Sequence, residues 1–220
     1  MNRTENFYHP IFMDLRDKLV VVVGGGMVAA RKVETLVKAG ARVKVIAPEV
    51  VDQVVRFLPA DIVCREYKKG DLKGAWLVIA ATDSEETNRA VSEDAFSKRI
   101  FCNVVDTPEL CTFIVPSVVE RGAIKIAIST GGVSPTLSRR MRSFIGSSIG
   151  DEYVILAAIL GRIRPLVRSR AGGSGDHKRF FEVLIDSELL DAIRSGDRTL
   201  AEDILLQVLG EHIDLTEIMP

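Results

Sequence analysis

A run of apolar residues that leads directly into three glycines constrains the fold of this chain more than any other feature. Leu19–Val23 has the composition of a strand buried on both faces, and Gly24–Gly26 follows at once. Apolar residues then recur at helical spacing up to an expected stop at Gly40, namely Ala29, Val33, Leu36 and Val37. A further apolar run begins at Val43. This order of strand, glycine turn, helix and strand predicts a parallel sheet covered by helices.

The same alternation continues as far as Val105. Asp83 and Glu86 have the spacing of a helix capping box, and apolar residues continue one face of the helix behind them. The runs that we assign to strands are Leu19–Val23, Val43–Ala47, Ile62–Tyr67, Trp76–Ala81 and Ile100–Val105. The pattern predicts an α/β fold with a Rossmann-type parallel sheet, which we assign to residues 1–112.

A different pattern follows Asp106. Thr112–Val119 and Ala123–Ser129 are rich in β-forming residues, and the short segment between them predicts a hairpin. Ser134 and Pro135 suit the N-cap and first position of a helix. Its apolar stripe is Leu137, Met141, Phe144, Ile145 and Ile149. We assign residues 113–150 to a small α+β dimerisation segment.

The last part of the chain has only helical periodicity. It begins at Glu152 and is interrupted by the glycine-rich stretch Ala171–Gly175, which has the composition of a flexible connection. Residues 151–220 are therefore predicted to form a helical C-terminal domain.

Composition and charge exclude several classes of function. The chain has 29 lysines and arginines against 30 aspartates and glutamates, so its net charge of -1 does not favour nucleic acid or a membrane surface. No apolar run approaches the roughly 20 residues that cross a bilayer. The N-terminus lacks the apolar core of a secretory signal. We expect a cytoplasmic protein.

Neither the cysteines nor the histidines have the spacing of a metal site. The 3 histidines are far apart in sequence, and Cys64, Cys102 and Cys111 include no C-x-x-C pair. An odd number of cysteines also argues against a disulfide framework. We expect no bound metal, and we expect Cys64 and Cys102 to be small buried residues in strands.

The glycines belong to a motif, Gly24-x-Gly26-x-x-Ala29, in the position that a dinucleotide-binding fingerprint requires. The first glycine permits the tight turn, the second lets a pyrophosphate approach the backbone, and Ala29 lets the helix pack closely on the sheet. Free N–H groups and the helix dipole favour an anion at this point. The alternative is a glycine-rich turn without a ligand. A P-loop is excluded because its motif is absent.

Residues at the ends of other strands complete the predicted cofactor site. Glu49 lies slightly beyond the usual place of the acid that binds the ribose hydroxyls, so NAD is favoured over NADP but the choice stays open. Thr82 and Asp83 end the fourth apolar run on the ligand-facing edge of the sheet. The alternative for Asp83 is that it only caps a helix.

Asp106 is the candidate for proton transfer. It ends the fifth predicted strand at the same edge of the sheet, where a carboxylate can act as a general base. The alternative is a turn-forming aspartate before Pro108. Residue type alone does not separate the two roles.

A second glycine-containing turn, Ser129–Pro135, is the candidate substrate site. Hydroxyls and free backbone donors converge there, and Arg121, Arg139 and Arg140 are near it in sequence. An acidic ligand would fit. The alternative is that these arginines form a solvated face, as charge runs usually do.

Together these motifs resemble the bifunctional precorrin-2 dehydrogenase and sirohydrochlorin ferrochelatase family, which also forms the N-terminal portion of sirohaem synthase. The shared order and spacing extend over about residues 9–145, whereas the helical tail matches only in general character. The matching segments are PIF at 10–12, VVGGGMVAARK at 22–32, LVIAATD at 77–83, FCNVVD at 101–106, FIVPS at 113–117 and AISTGGVSP at 127–135.

The resemblance implies that NAD removes a hydride from precorrin-2 to give sirohydrochlorin, with Asp106 as general base. Ferrous iron is implied as a second substrate in some members, and whether this chain inserts it stays open. The resemblance also implies a homodimer formed by the segment after the cofactor domain. Thr130 stands where some members have a serine close to the tetrapyrrole. Met27, Val28, Pro48 and Glu49 match positions that contact the dinucleotide.

The complete predicted site has three parts. The cofactor residues are Gly24, Gly26, Met27, Val28, Pro48, Glu49, Thr82 and Asp83. The catalytic residue is Asp106. The substrate residues are Asn103, Arg121, Thr130, Gly131, Gly132, Ser134, Arg139 and Arg140.

Two other functions stay open at this point. A regulatory module would bind NAD without turnover, but such a sensor needs neither Asp106 nor a turn flanked by arginines. A dehydrogenase for another polyanionic metabolite would transfer hydride but would not act on precorrin-2.

Overall fold

The computed structural model describes residues 8–57, 61–170 and 174–219. The chain divides into two compact units, Met1–Val115 and Pro116–Pro220. Each unit has its own apolar core. The further boundary predicted near residue 150 stays a prediction.

The first unit contains a parallel sheet with helices. Its strands are β1 (Leu19–Val23), β2 (Arg42–Ala47), β3 (Ile62–Cys64), β4 (Leu77–Ala80) and β5 (Phe101–Val104). Its helices are α1 (Met27–Lys38), α2 (Asp52–Phe57) and α3 (Glu85–Ser97), and a 3-10 turn follows at Pro108–Leu110. The strand order is β3-β2-β1-β4-β5, with every neighbouring pair parallel. The predicted Rossmann-type sheet is confirmed.

The apolar run of β1 follows from burial on both faces of the sheet. Val20 and Val22 face the cluster that contains α1, whereas Val21 and Val23 face the cluster that contains α3. None of the four is more than 2% exposed. A strand covered on both sides has no solvent face, so it reads as a continuous apolar run rather than an alternating one.

The third strand is shorter than the predicted run Ile62–Tyr67. Only Ile62–Cys64 pairs with β2. The chain then turns, because both terminal guanidinium nitrogens of Arg65 donate to the carboxylate of Asp71 at 2.7 Å. Asp71 also accepts from the backbone N–H of Lys68 at 2.8 Å. These bonds replace the expected strand extension with turns that lead to β4.

Two predictions about individual residues of this unit are wrong. Cys64, the last residue of β3, is exposed rather than buried, because it lies outside the apolar clusters. Cys102 in β5 is buried as predicted, in the cluster that contains α3. Asp83 does not cap α3. The N-cap is Ser84, whose hydroxyl accepts from the backbone N–H of Thr87 at 3.2 Å.

The second unit starts with the predicted hairpin and continues with helices. Its strands are β6 (Ser117–Arg121) and β7 (Ile124–Ile128), which pair antiparallel as a two-stranded sheet. Its helices are α4 (Pro135–Ser147), α5 (Asp151–Arg170), α6 (Ser174–Ile185), α7 (Leu189–Ser195) and α8 (Arg198–Leu209). Helices α5 to α8 supply most of one apolar core. The predicted interruption at Ala171–Gly175 lies partly outside the described residues.

Helix α4 begins as predicted but faces in an unexpected direction. Ser134 is the N-cap, accepting from the backbone N–H of Leu137 at 3.2 Å, and Pro135 is the first helical residue. The predicted apolar stripe is largely exposed: Leu137 is 50% and Phe144 is 74% exposed. The buried residue of this helix is instead Ser138.

Within the described residues, no single helix is long and apolar enough to cross a membrane. Helices α4 and α5 taken together are long and apolar enough, but a bend of 73° separates them.

Candidate active site

A cavity of about 580 Å³ opens at the carboxyl ends of β1, β2 and β4. Open parallel sheets bind ligands at this edge, and the volume falls in the range of ordinary ligand pockets. The lining residues are Val23–Val28, Ile46–Glu49, Glu66, Tyr67, Ala81–Ser84 and Thr87. The structure therefore brings together all eight residues predicted for the cofactor.

The three glycines have different surroundings. Gly24 has φ +122°, and a side chain there would collide with the backbone carbonyl of Ala81. At Gly25 a side chain would collide with the backbone carbonyl of Glu49. A Cβ on Gly26 would meet nothing within 4 Å. The first two glycines let the loop pack between neighbouring strand ends, and the third leaves the backbone open to the cavity.

The N-terminus of α1 has the features of an anion site. Gly26 is the N-cap, and no described side chain caps the helix. The first turn also contains no acidic residue. Its backbone N–H groups are therefore available to an anion that enters beside Gly26, where the helix dipole favours negative charge. These features fit the pyrophosphate of a dinucleotide.

The remaining predicted cofactor residues differ in how much of their polar surface is available. Pro48 and Glu49 are exposed at the end of β2, and Asp83 is exposed after β4. The hydroxyl of Thr82 donates to the side-chain oxygen of Asn88 at 2.8 Å and accepts from the backbone N–H of Ser84 at 3.2 Å. Thr82 thus holds the β4–α3 turn, while Asp83 is free of a capping role.

Sequence reasoning missed Gly25, Glu66 and Tyr67. The run Ile62–Tyr67 predicted a strand through the last two, but the early end of β3 brings them to the cavity wall. The hydroxyl of Tyr67 donates to the carboxylate of Asp94 on α3 at 2.7 Å. Burial, followed by the effect of Asp94, raises the pKa of Tyr67, so its hydroxyl stays protonated.

Asp106 lies at the same edge of the sheet but does not line the cavity. It follows β5, is exposed, and has φ +59°. Aspartate is one of the few residues that tolerates this left-handed backbone. Its carboxylate accepts no hydrogen bond from any residue the structure describes, so the side chain does not close the Asx turn that was the alternative reading.

The charge of Asp106 acts on a cation of α1, Lys32. It lies on α1 and is half-buried. Burial lowers the pKa of Lys32, and the negative charge of Asp106 opposes this effect. A half-buried lysine on the cofactor helix therefore shares an electrostatic environment with the candidate base.

Asn103 is buried in β5, unlike the other predicted substrate residues. Its side-chain nitrogen donates to the backbone carbonyl of Phe113 at 3.1 Å. The amide thus fixes the segment that leaves the sheet. Contact with a substrate stays a prediction for this residue.

The other predicted substrate residues lie in the second unit. Gly131 and Gly132 both have positive φ, at 64° and 86°, in the turn before α4. The hydroxyl of Thr130 accepts from the backbone N–H of Ser134 at 3.1 Å and lies 3.2 Å from the hydroxyl of Ser138. The hydroxyls of Thr130 and Ser134 therefore organise the turn and the start of the helix.

The predicted arginines are exposed cations. Arg121, Arg139 and Arg140 form no ion pair with a carboxylate in the described part of the chain. Lys125, by contrast, pairs with Glu120 at 2.9 Å. The three guanidinium groups are available to an acidic ligand, which can accept paired hydrogen bonds from each.

Three family models match consecutive parts of the chain. Residues 11–117 match a model for NAD(P)-binding. Residues 121–148 match the sirohaem biosynthesis protein central model, and residues 152–209 match the sirohaem synthase dimerisation region. The nicotinamide-cofactor class predicted from the glycine motif agrees with the first of these.

Curated relatives cover almost the whole chain. A siroheme synthase of Methylobacillus flagellatus is 42% identical over 209 residues, which are 94% of this chain and 45% of the relative. A siroheme synthase of Citrobacter koseri is 38% identical over 209 residues, which are 93% of this chain and 46% of the relative. The chain thus spans about half the length of the curated relatives it matches.

A solved structure has the same fold. The protein titled "SirC, precorrin-2 dehydrogenase" superposes with a TM-score of 0.76 at 21% sequence identity, covering 93% of this chain and 100% of its own. At this identity the likeness supports the architecture described above.

Proposed function

The chain belongs to the family formed by the N-terminal part of sirohaem synthases, and on that premise we propose that it oxidises precorrin-2 to sirohydrochlorin with NAD. One observation carries the proposal: a single cavity is lined by Gly26, by the start of α1 and by the end of β2. At this point the backbone of Gly26 is open and no described side chain caps the helix. A dinucleotide bound there would supply the hydride acceptor.

The order of the strands gives the cofactor a direction in this proposal. The acid that binds the adenosine ribose in such folds follows the second strand, and Glu49 follows β2. The adenosine half then belongs on the β2–β3 side of the glycine loop. The nicotinamide half belongs on the β4–β5 side, toward Asp106.

In the proposed reaction, Asp106 takes a proton from the macrocycle. Oxidation of precorrin-2 removes one hydride and one proton, so a base is needed as well as the hydride acceptor. An exposed carboxylate without a described hydrogen-bond donor is available to accept that proton.

We assign the substrate carboxylates to the turn before α4 and its arginines. Arg121, Arg139 and Arg140 are unpaired with any described carboxylate, and arginine binds carboxylates with two parallel hydrogen bonds. The positive φ angles of Gly131 and Gly132 give the turn a conformation that favours glycine. A tetrapyrrole with many carboxylates matches this local charge on a nearly neutral protein.

We also propose that the chain is a homodimer. The match to a dimerisation region covers residues 152–209, and we propose that the hairpin and α4 are also part of the interface. An isolated two-stranded sheet is marginally stable in water, and α4 exposes Leu137, Met141 and Phe144. A second copy would cover these residues. Light scattering should give the mass of a dimer, and Phe144→Lys should shift it to a monomer, whereas Phe96→Lys on α3 should not.

The test of the reaction is an anaerobic assay with precorrin-2 and NAD. We expect NADH and sirohydrochlorin to appear together, and cytoplasmic fractions to hold the activity. Asp106→Ala should lose turnover while its affinity for NAD stays within about twofold of the parent, since the residue is outside the cofactor cavity. Glu109→Gln, a nearby exposed carboxylate, is the matched control and should turn over normally.

Three outcomes of this assay are informative. NAD binding without NADH formation in the unaltered protein would favour the regulatory module. A fully active Asp106→Ala protein would remove that residue from the mechanism. Addition of ferrous iron to the product then measures the separate insertion activity, for which iron is a substrate.

A further inference from the structure

The connection between β3 and β4 is fastened to α3 by one buried carboxylate. Asp94 is 3% exposed, although a buried carboxylate is costly unless it is fully hydrogen-bonded. It accepts from the hydroxyl of Tyr67 at 2.7 Å and from the backbone N–H of Gly70 at 3.3 Å. Lys98, the C-cap residue of α3, is its ion-pair partner. Two of the three donors therefore come from the connection rather than from the helix.

The charge of Asp94 is maintained by these donors. Burial raises the pKa of Asp94, but the hydrogen bonds from Lys98, Tyr67 and Gly70 outweigh that effect and leave it lowered. An ionised acceptor forms stronger hydrogen bonds than a neutral one. The result is a strong, fixed attachment for the Tyr67 hydroxyl.

This attachment determines which part of Tyr67 faces the cavity. Tyr67 lines the cavity and its hydroxyl is engaged with Asp94, so the part of this side chain left for a ligand to pack against is its aromatic ring. Tyr67 follows β3, and β3 lies beyond β2 in the sheet. On the direction proposed for the cofactor, this is the adenosine side.

We infer that Tyr67 forms an aromatic wall of the adenine subsite and that Asp94 is the residue that positions it. The inference rests on the proposed dinucleotide site. A ring already fixed by a buried hydrogen bond loses little conformational freedom when a base packs against it, and packing of bases on aromatic rings is favourable. The ion pair of Asp94 and Lys98 thereby contributes to cofactor affinity without contacting the cofactor.

The experiment compares the two halves of the cofactor as separate ligands. ADP-ribose and nicotinamide mononucleotide are titrated into the full-length protein and the variants, with binding followed by calorimetry or ligand-observed NMR. Tyr67→Ala should weaken ADP-ribose about tenfold or more, which is the effect typical of losing one stacked base. Nicotinamide mononucleotide should bind within about twofold of the parent protein, since the ring is on the other side of the cavity.

Conservative variants separate the ring from its attachment. Tyr67→Phe and Asp94→Asn each keep the ring but loosen it, so each should weaken ADP-ribose less than Tyr67→Ala does. Their effects should not add in the double variant, because both remove one interaction. Phe96→Ala, an exposed aromatic residue of α3 outside the cavity, should bind both ligands as the parent does.

Failure of the inference is distinguishable from failure of the proposed function. If the parent protein binds neither ligand, the cofactor proposal itself is refuted. If the parent binds ADP-ribose and Tyr67→Ala binds it equally well, the adenine wall is refuted and the cofactor proposal stands. Equal weakening of both ligands with a lowered unfolding temperature would likewise refute the inference, since it would mean that Tyr67 only supports the fold.

Discussion

Alanine substitutions in the glycine loop should separate folding from cofactor binding. Gly24 and Gly25 are enclosed by the carbonyls of Ala81 and Glu49, whereas Gly26 has open space where a side chain would extend. The methyl group added at either of the first two positions must displace backbone atoms. At Gly26 it projects into the space that a pyrophosphate would occupy.

The expected magnitudes follow from these surroundings. In Gly24→Ala, alanine is forced to a positive φ and its methyl group collides with the backbone, and each effect should lower the unfolding free energy by about 1–3 kcal/mol. We therefore expect a total loss of roughly 3 kcal/mol or more. Gly25→Ala has only the collision and should lose about 1–3 kcal/mol. At about 4 °C per kcal/mol for a unit of this size, the melting temperatures should fall by roughly 12 °C and 4–12 °C.

Gly26→Ala should behave in the opposite way. Its backbone is extended, with φ -80° and ψ -174°, which alanine adopts readily. Loss of the preferred N-cap residue should cost about 1 kcal/mol or less. Losing one or two hydrogen bonds from the helix start to the pyrophosphate, at about 1.5–3 kcal/mol each for a charged partner, should weaken NAD by at least tenfold.

Calorimetry with NAD and thermal unfolding of the same preparations test this separation. Unchanged NAD affinity in Gly26→Ala would mean that the anion does not approach the backbone there, and the cofactor proposal would lose its main support. A Gly25→Ala protein as stable as the parent would contradict the close contact between the glycine loop and the end of β2.

Two further predictions concern charge and thiol reactivity. Arg139→Ala and Arg140→Ala should each raise KM for precorrin-2 several-fold at low salt, with little change in kcat. The difference in KM from the parent should shrink near 0.5 M salt, because exposed charges are then screened. An unchanged KM would mean that both arginines are only solvated. A thiol reagent at pH 8 should label exposed Cys64 within minutes but buried Cys102 only on unfolding, because burial raises the pKa of Cys102 to about 11. Rapid modification of both, seen by mass spectrometry, would contradict the burial of Cys102 in the apolar cluster that contains α3.

The parallel sheet could be predicted from sequence because its strands are buried on both faces. Burial of Val20–Val23 on two sides leaves a continuous apolar run, and the glycines mark where that run must turn. Met27, Val28 and Pro48 were predicted from the family resemblance alone. The polar strand-end residues followed from the same argument as the sheet, since all strand ends meet at one edge. Glu49, Thr82 and Asp83 were therefore placed correctly in the cavity although they are far apart in sequence.

Residues whose roles depend on contacts between distant segments could not be predicted in this way. Gly25 is required by the carbonyl of Glu49, and nothing local to the motif indicates that contact. Tyr67 reaches the cavity because Arg65 and Asp71 end β3 early. Cys64 is exposed because β3 ends there, outside the apolar clusters, and the periodicity of one strand does not indicate where its covering layer ends.

Helix α4 shows how periodicity can identify an apolar face without indicating what covers it. The residues that fix the rotation of this helix are polar: Ser138 is buried and lies 3.2 Å from the hydroxyl of Thr130 in the preceding turn. This contact turns Ser138 inward and leaves Leu137 and Phe144 outward. If a second copy covers the exposed face, Thr130 contributes to the substrate site indirectly. Its hydroxyl organises the turn, and it also sets the rotation of α4 and thereby the face that packs against the second copy. The arginines of α4 would then be positioned by dimer formation, and activity should depend on protein concentration wherever the dimer dissociates.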